Sequence, residues 1–398
     1  MKTICTIHKL LLFSALFPAI TGVPQSVIGL TQKEVENVRS HLETGEVVMH
    51  YTLTDTSLQI NVLGRDILAI CHSSLDPVFW SGIRLFRKRL SAAEPSDFLI
   101  PGEEMYHFLI KPVEGFLAGI HRLIIITDER LWGVPFEAFI QDDGLQGMGH
   151  ACDFHYLLND FEIVYRRSLE IRKTGSPSWQ ESGCRSNDAC QVVFAGFSSL
   201  VHGDRRMTGL PGSGREINAI AELFCQKGIP SLLLTGDSML KTNFEKTVGS
   251  SRIFHLATHC IPNRTSDGLT GFLFENSSGE KSPQNQHDLL SLNDLNELKL
   301  EADLIVLNAC GSGMARSKSE PVDGFLPQML AKAGAKNVLS ALWNVTDNLA
   351  ELFLVDFYRT WMSGKTYSAA LREVKLQWIS RRATAMPTLW APYVLLTN

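Results

Sequence analysis

The chain has 398 residues, of which 44% are hydrophobic and 20% are charged, and its net charge is −5. This composition is typical of a globular protein with enough apolar residues for two cores. The acidic balance argues against a nucleic-acid partner, because phosphates require a clustered positive surface. Eight cysteines are too few for a disulfide scaffold, and their spacing does not match that of zinc ligands. We therefore expect no metal, no cofactor and no nucleic acid.

The first 26 residues have the layout of an export signal. A basic stretch, Met1–Lys9, is followed by the apolar stretch Leu10–Ile20. The apolar stretch is too short to cross a bilayer as a helix, so we expect no stable membrane span. We favour the signal, and with it export. The alternative is the remnant of an upstream helix in a cytoplasmic protein.

Residues 27–172 are predicted to form a smaller α/β subdomain. Thr31 and Glu34 form a capping-box pattern before a helix that ends near Leu42, and Asp76 is placed to cap a second helix. The other predicted elements are an alternating strand pattern over Glu46–Leu63, a helical stretch over Glu103–Ile120 broken at Pro112, and a buried strand at Arg122–Ile126. No cysteine follows that last strand.

A polar, Ser- and Gly-rich stretch at residues 173–190 is predicted to be a linker, and residues 191–398 form the second predicted subdomain. Strands and helices alternate there. The predicted strands are 191–197, 231–234, 252–260, 304–307, 338–342 and 393–396, and the predicted helices begin near 215, 241, 349 and 366. Repeated βα units indicate an α/β fold with a mostly parallel, doubly wound sheet and flanking helices.

Two strands of the second half end in reactive side chains. One runs into Asn308-Ala309-Cys310-Gly311, and the other ends in Thr258-His259-Cys260. Chemistry in open α/β sheets collects beyond the carboxyl ends of the strands. A Cys and a His that meet there form a dyad, in which the imidazole assists the thiolate and protonates the leaving amine. The alternative is that Cys310 is a small buried hydrophobic residue. His255, four residues before His259, is predicted to be a core histidine.

Several motifs in order resemble the CHAT peptidases, which are relatives of caspases and separases. They are HLATHC, VLNACGSG, AKAGA, ALW and LWAPY, and the resemblance runs from about Val27 to the C-terminus. His259 precedes Cys310 by 51 residues (310 − 259), and caspases have a similar spacing of about 50. The resemblance implies a caspase-like catalytic subdomain preceded by a non-catalytic caspase-like subdomain.

The resemblance also implies a function, that of a cysteine endopeptidase acting on a protein or peptide substrate. Cys310 would attack the scissile carbonyl, and His259 would protonate the leaving amine. The backbone amides of Cys260 and of Gly311 or Cys310 would hold the oxyanion. One departure is Cys260, since the family usually has Gly directly after the catalytic His. The alternatives are an inactive caspase-like scaffold and a thiol acyltransferase or other hydrolase that uses the same dyad.

The motif LWNVTDN resembles the separase stretch whose acidic residues receive an arginine at the cleavage site. It keeps Asp347 but has Asn344 at a position that is often acidic, so we expect a preference for Arg that is weaker than in separases. The alternative is that Asp347 only caps the following helix. Relatives usually carry tetratricopeptide repeats, and the sequence shows no such repeat period. We therefore expect a regulatory partner that supplies the repeat region.

Overall fold

The computed structural model describes residues 30–92, 98–141, 149–171, 191–197, 210–262, 270–274, 289–291, 294, 297–309, 330–331 and 333–398. The predicted signal and the predicted linker lie outside these residues. The chain divides into two compact units, one made of Met1–Lys173 with Ile379–Pro387 and the other of Thr174–Trp378 with Thr388–Asn398. Within the described ranges, no helix is long and apolar enough to cross a membrane. No group of three or more His, Cys, Asp or Glu side chains in those ranges could hold a metal ion.

The first unit contains a mixed sheet with helices beside it. Its elements are α1 (Gln32–His41), β1 (Glu46–Leu53), β2 (Ser57–Gly64), β3 (Leu68–Ser74), α2 (Pro77–Ser91), α3 (Leu99–Leu109), a 3₁₀ turn (Lys111–Phe116), β4 (Arg122–Ile126), α4 (Leu157–Asp160) and β5 (Glu162–Arg166). The strand order is β3-β2-β1-β4-β5. The β1, β2 and β3 strands pair antiparallel, whereas β4 is parallel to both β1 and β5.

Local sequence signals predict the starts of α1 and α2 correctly, whereas the helix predicted over Glu103–Ile120 is wrong in its bounds, since α3 begins at Leu99 and ends at Leu109 and Pro112 lies in the 3₁₀ turn that follows. The Thr31 hydroxyl accepts the Glu34 backbone N–H, and the Glu34 carboxylate accepts the Thr31 N–H, so the capping box is confirmed. Asp76 caps α2 through the Phe79 N–H at 3.1 Å, as predicted. The predicted strand over Glu46–Leu63 is wrong in one respect, because a turn at residues 54–56 divides it into β1 and β2.

The second unit contains a larger sheet and a small one. Its elements are β6 (Gln191–Gly196), α5 (Pro211–Gln226), β7 (Ser231–Thr235), α6 (Lys241–Val248), β8 (Ser251–Thr258), β9 (Cys260–Pro262), β10 (Thr270–Leu273), β11 (Leu289–Ser291), β12 (Leu304–Ala309), β13 (Asn337–Ala341), α7 (Asp347–Trp361), α8 (Tyr367–Ile379), α9 (Pro387–Trp390) and β14 (Tyr393–Thr397). The larger sheet has the order β14-β13-β12-β8-β6-β7, and the small one β11-β10-β9.

The larger sheet is parallel except at one strand. The β13–β12, β12–β8, β8–β6 and β6–β7 pairs are parallel, and β14 runs antiparallel to β13. The α/β fold class predicted from the alternating pattern is confirmed. The small antiparallel sheet was not predicted, since β10 lies in a stretch whose polar composition favoured a loop. Its Thr270–Leu273 strand is short, and short strands carry little periodicity.

The core of the second unit is aromatic. Phe353, Phe357 and Trp361 of α7 are fully buried, which confirms that the four-residue spacing of this helix marks its core face. The Phe353 ring stacks on Tyr393 of β14 with centroids 4.2 Å apart. This packing holds the start of α7 beyond the carboxyl ends of the parallel strands, where the candidate site lies.

Candidate functional site

The β8 and β12 strands are parallel neighbours that end at the same level. Their register places Ala257 opposite Asn308 and Thr258 opposite Ala309. The next residues in the sequence are His259 and Cys310. His259 is half-buried, and its ring lies edge-on to Phe197 with centroids 5.6 Å apart. Cys310 and Gly311 lie outside the described residues.

Hydrogen bonds hold the end of β8 against the small sheet. The Thr258 hydroxyl donates to the Leu273 carbonyl at 2.6 Å, and the Leu273 N–H donates to the His259 carbonyl at 3.0 Å. Cys260 begins β9 and pairs with Phe272. The backbone on both sides of the His259 side chain is therefore fixed by strand pairing, which restricts the directions that the imidazole can take.

A cavity that is open to solvent lies at the carboxyl ends of β8, β12 and β13. Thr258 and Asn308 come from the first two of these strands, and the segment after β13 contributes Asn344 and Asp347. The structure thus brings both predicted specificity residues to one cavity, beside the strand ends that lead to the predicted dyad. Asn344 is exposed and Asp347 is half-buried.

Asp347 is not the cap of α7. The N-cap residue is Thr346, which makes no side-chain capping hydrogen bond, and Asp347 is the first helical residue. The alternative that Asp347 serves as the helix cap is therefore wrong. Its carboxylate lines the cavity and lies against Gly212 in the first turn of α5, at a place where a Cβ on residue 212 would be 2.8 Å from Cγ of Asp347. The glycine leaves the space that this side chain occupies.

Glu216 of α5 lines the same cavity, although it was not among the residues predicted from the sequence. The residue is 1% exposed. Its Oε1 lies 2.7 Å from His255 Nε2, and its Oε2 accepts a hydrogen bond from Asn308 Nδ2 at 2.6 Å. A signal was present in the sequence. Glu216 precedes the buried Ile220 and Phe224 at four-residue spacing, so it lies on the apolar face of an amphipathic helix, where a carboxylate is unusual.

His255 is fully buried and hydrogen-bonded on both ring nitrogens, which confirms it as a satisfied core histidine. Nδ1 lies 3.3 Å from the Tyr358 hydroxyl, and the two rings stack with centroids 5.8 Å apart. Burial raises the pKa of the Tyr358 hydroxyl well above its usual value, and the charges of Tyr367 and Glu216 add to this effect. The tyrosine therefore stays a neutral phenol that can donate to the imidazole.

Comparison with known proteins gives relatives and fold neighbours. A model of the CHAT domain matches residues 99–398. Tetratricopeptide repeat protein 28 of Mus musculus is 26% identical over 355 residues, which cover 78% of this chain and 13% of that protein. The protein of the same name from Homo sapiens is 26% identical over 374 residues, which cover 83% of this chain and 14% of that protein. The chain therefore spans only a small part of the length of these relatives.

Two crystal structures of the Saccharomyces cerevisiae separase–securin complex resemble this chain, with TM-scores of 0.54 and 0.51 and identities of 9% and 10%. Each match covers 92% of this chain and 31% of that one. At such low identity the likeness shows the fold alone, a large, mostly parallel sheet with flanking helices similar to the caspase-like domain of separase. Because the CHAT domain model matches well over half of the sequence, this chain belongs to the CHAT domain family.

Proposed function

We propose that this chain is a cysteine endopeptidase in which His259 and Cys310 form the catalytic dyad. The observation that carries the proposal is the register of β8 and β12, in which Thr258 lies opposite Ala309. His259 and Cys310 are the next residues in the sequence, which supports the proposal that the imidazole and the thiol share one edge of the sheet. Open α/β sheets hold their reactive groups at this edge.

The chemistry follows from these two groups. The Cys310 thiolate attacks the scissile carbonyl carbon, the C–N bond breaks, and His259 supplies the proton that the leaving amine takes. Water then attacks the thioester, which releases the carboxylic acid and restores the thiol. Backbone N–H groups at Cys260 and Gly311 would stabilise the oxyanion of the tetrahedral intermediate. A backbone donor survives a change of side chain, so Cys260 in place of Gly is compatible with activity.

The cavity beside the strand ends is proposed to bind an arginine side chain on the amino side of the cleaved bond. Asp347 supports this assignment, because its carboxylate lines the cavity and does not cap α7. A guanidinium makes two parallel charge-assisted hydrogen bonds with a carboxylate, whereas a lysine ammonium cannot form this pair. Cleavage after Arg should therefore be faster than cleavage after Lys.

A regulatory partner remains part of the proposal. Both curated relatives are named as tetratricopeptide repeat proteins, and the matched region is 13–14% of their length. We propose that a repeat region, supplied by a partner, controls access of the substrate to the site.

A peptide library followed by kinetics on single variants tests the proposal. We expect cleavage after Arg, and a loss of at least about 10³-fold in kcat/KM for both Cys310→Ala and His259→Ala. Cys225→Ala is the control, since Cys225 is an exposed thiol on α5 and its loss should leave the rate unchanged. An unchanged rate in Cys310→Ala would refute the dyad. If the folded wild-type protein cleaves no member of the library and its Cys310 is not labelled by a peptide acyloxymethyl ketone that ends in Arg, the peptidase proposal fails and the caspase-like scaffold is favoured.

A further inference from the structure

We propose that Glu216 is a second carboxylate of the arginine-binding cavity and determines its selectivity for a guanidinium group. This inference rests on the proposed function. The LWNVTDN motif supplies one carboxylate, Asp347, and has the neutral Asn344 at the position that is often acidic in separases. Glu216 lies 131 residues before Asp347 in the sequence (347 − 216), yet both line the cavity.

The α5 helix connects the positions of Glu216 and Asp347 at the cavity. Asp347 lies against Gly212, and Gly212 and Glu216 are four residues apart on α5. Residues at this spacing lie on one helix face, with about 5–6 Å between their Cβ positions. The cavity is therefore lined by a carboxylate residue from each of two helices and by residues at the ends of β8 and β12.

Both carboxylate oxygens of Glu216 have hydrogen-bond partners. Asn308 Nδ2 belongs to an amide and donates to Oε2, and His255 Nε2 lies 2.7 Å from Oε1. Glu216 is therefore a buried carboxylate that β8 and β12 hold in place at the wall of the cavity. A carboxylate that lines a cavity is a suitable partner for a guanidinium group that enters it.

A purely structural role gives a different expectation. Glu216 joins His255 of β8 to Asn308 of β12, four and two residues before the predicted dyad members. If this bridge only positioned the strands, its loss would slow the cleavage of every substrate by the same factor. If its charge binds the substrate, the loss depends on whether the substrate side chain is charged. Citrulline separates the two cases, because it has nearly the shape of arginine and no charge.

The experiment measures kcat/KM for two peptides that differ only by Arg or citrulline before the cleaved bond. Glu216→Gln removes the charge and keeps an amide that can hydrogen-bond. We expect the ratio of Arg to citrulline to fall at least about tenfold, which corresponds to about 1.4 kcal/mol, with little change in the citrulline rate. Glu351→Gln is the matched control, because Glu351 pairs with Arg215 at the surface and should leave the ratio unchanged. An equal loss for both peptides would overturn the inference.

A second variant avoids any folding defect of Glu216→Gln. In Asp347→Asn, the remaining Glu216 should still give at least about tenfold preference for Arg over citrulline. A ratio near one in this variant would overturn the role of Glu216.

Binding separates this inference from the proposed activity. Calorimetry with peptides that end in Arg or citrulline, performed on Cys310→Ala, needs no turnover. We expect selective binding of the Arg peptide, and we expect Glu216→Gln in the same background to lose that selectivity. If the Arg peptide binds selectively but the wild type cleaves no peptide, the proposed peptidase activity is refuted, and the assignment of Glu216 to the arginine-binding cavity stands. Equal binding of the two peptides would refute the role of Glu216, whether or not the wild type cleaves.

Discussion

Gly212→Ala should impair the arginine-binding cavity while leaving the protein folded. A Cβ at this position would be 2.8 Å from both Cγ and Oδ2 of Asp347 and closer still to its Cβ. Carbon atoms in contact are normally about 3.5–4.0 Å apart, so relief requires a shift of about 1 Å. Rotation of the Asp347 side chain cannot move its Cβ. The start of α5 or of α7 must therefore move.

Two effects on stability oppose each other in this variant. Overpacking costs about 1–3 kcal/mol, and the replacement of a helical Gly by Ala returns about 0.5–1 kcal/mol. The net loss should be at most about 2.5 kcal/mol. Misplacement of a binding group by about 1 Å can cost about 10²-fold in rate. We expect a 10- to 100-fold lower kcat/KM for the Arg peptide, and a smaller loss for the citrulline peptide.

The assay combines these kinetics with thermal unfolding. Asp347→Gly removes the Cβ that the new methyl group meets. The double variant Gly212→Ala/Asp347→Gly should therefore regain the stability that Gly212→Ala loses through overpacking. If Gly212→Ala cleaves the Arg peptide at the wild-type rate and melts at the wild-type temperature, Asp347 does not line the cavity in the way described, and the reasoning fails.

Three further variants test separate parts of the structure. Gly334→Ala should destabilise the protein by about 3–5 kcal/mol in a melting experiment, because Gly334 has φ +116° and a Cβ would collide with the Leu300 carbonyl. The control is Gly228→Ala, which should cost only about 1–2 kcal/mol, since Gly228 has φ +73° and a Cβ there would meet open space. Asp347→Asn should lower kcat/KM for the Arg peptide tens- to hundreds-fold, which corresponds to about 2–4 kcal/mol, and should lower the free energy of unfolding by less than about 1 kcal/mol. Preferential cleavage of library peptides after Asp or bulky apolar residues would contradict the role of Asp347 in binding arginine. Cys260→Gly should keep or raise the rate, and a large loss would assign the thiol a role of its own.

Local signals explain why much of the fold could be predicted. The capping boxes and caps at Thr31 and Asp76 involve residues three positions apart, so the sequence displays them directly. The parallel pair of β8 and β12 could also be predicted, because an apolar run that ends in a polar motif indicates a buried strand whose carboxyl end lies at the reactive edge of the sheet. The α6 helix, Lys241–Val248, begins at the predicted residue 241.

The rest depends on distant contacts that no local pattern encodes. Glu216 acquires its place in the cavity through Asn308 and His255, which are 92 and 39 residues away in the sequence. The cap interpretation of Asp347 failed because α7 begins at Asp347 itself, two residues before the predicted start near 349, and only the three-dimensional structure shows Gly212 beside it. The oxyanion role of Cys260 and Gly311 stays a prediction.

The central claim is that Cys310 is an activated nucleophile. A peptide acyloxymethyl ketone that ends in Arg captures a competent thiolate, and mass spectrometry of the digested protein identifies the labelled residue. The account predicts one equivalent of label on Cys310, no label in Cys310→Ala, and strongly reduced labelling in His259→Ala. Iodoacetamide, which should react with the exposed Cys225, controls for the recovery of modified thiols. An absence of label on Cys310, with Cys225 modified as expected and the protein folded, would contradict the account.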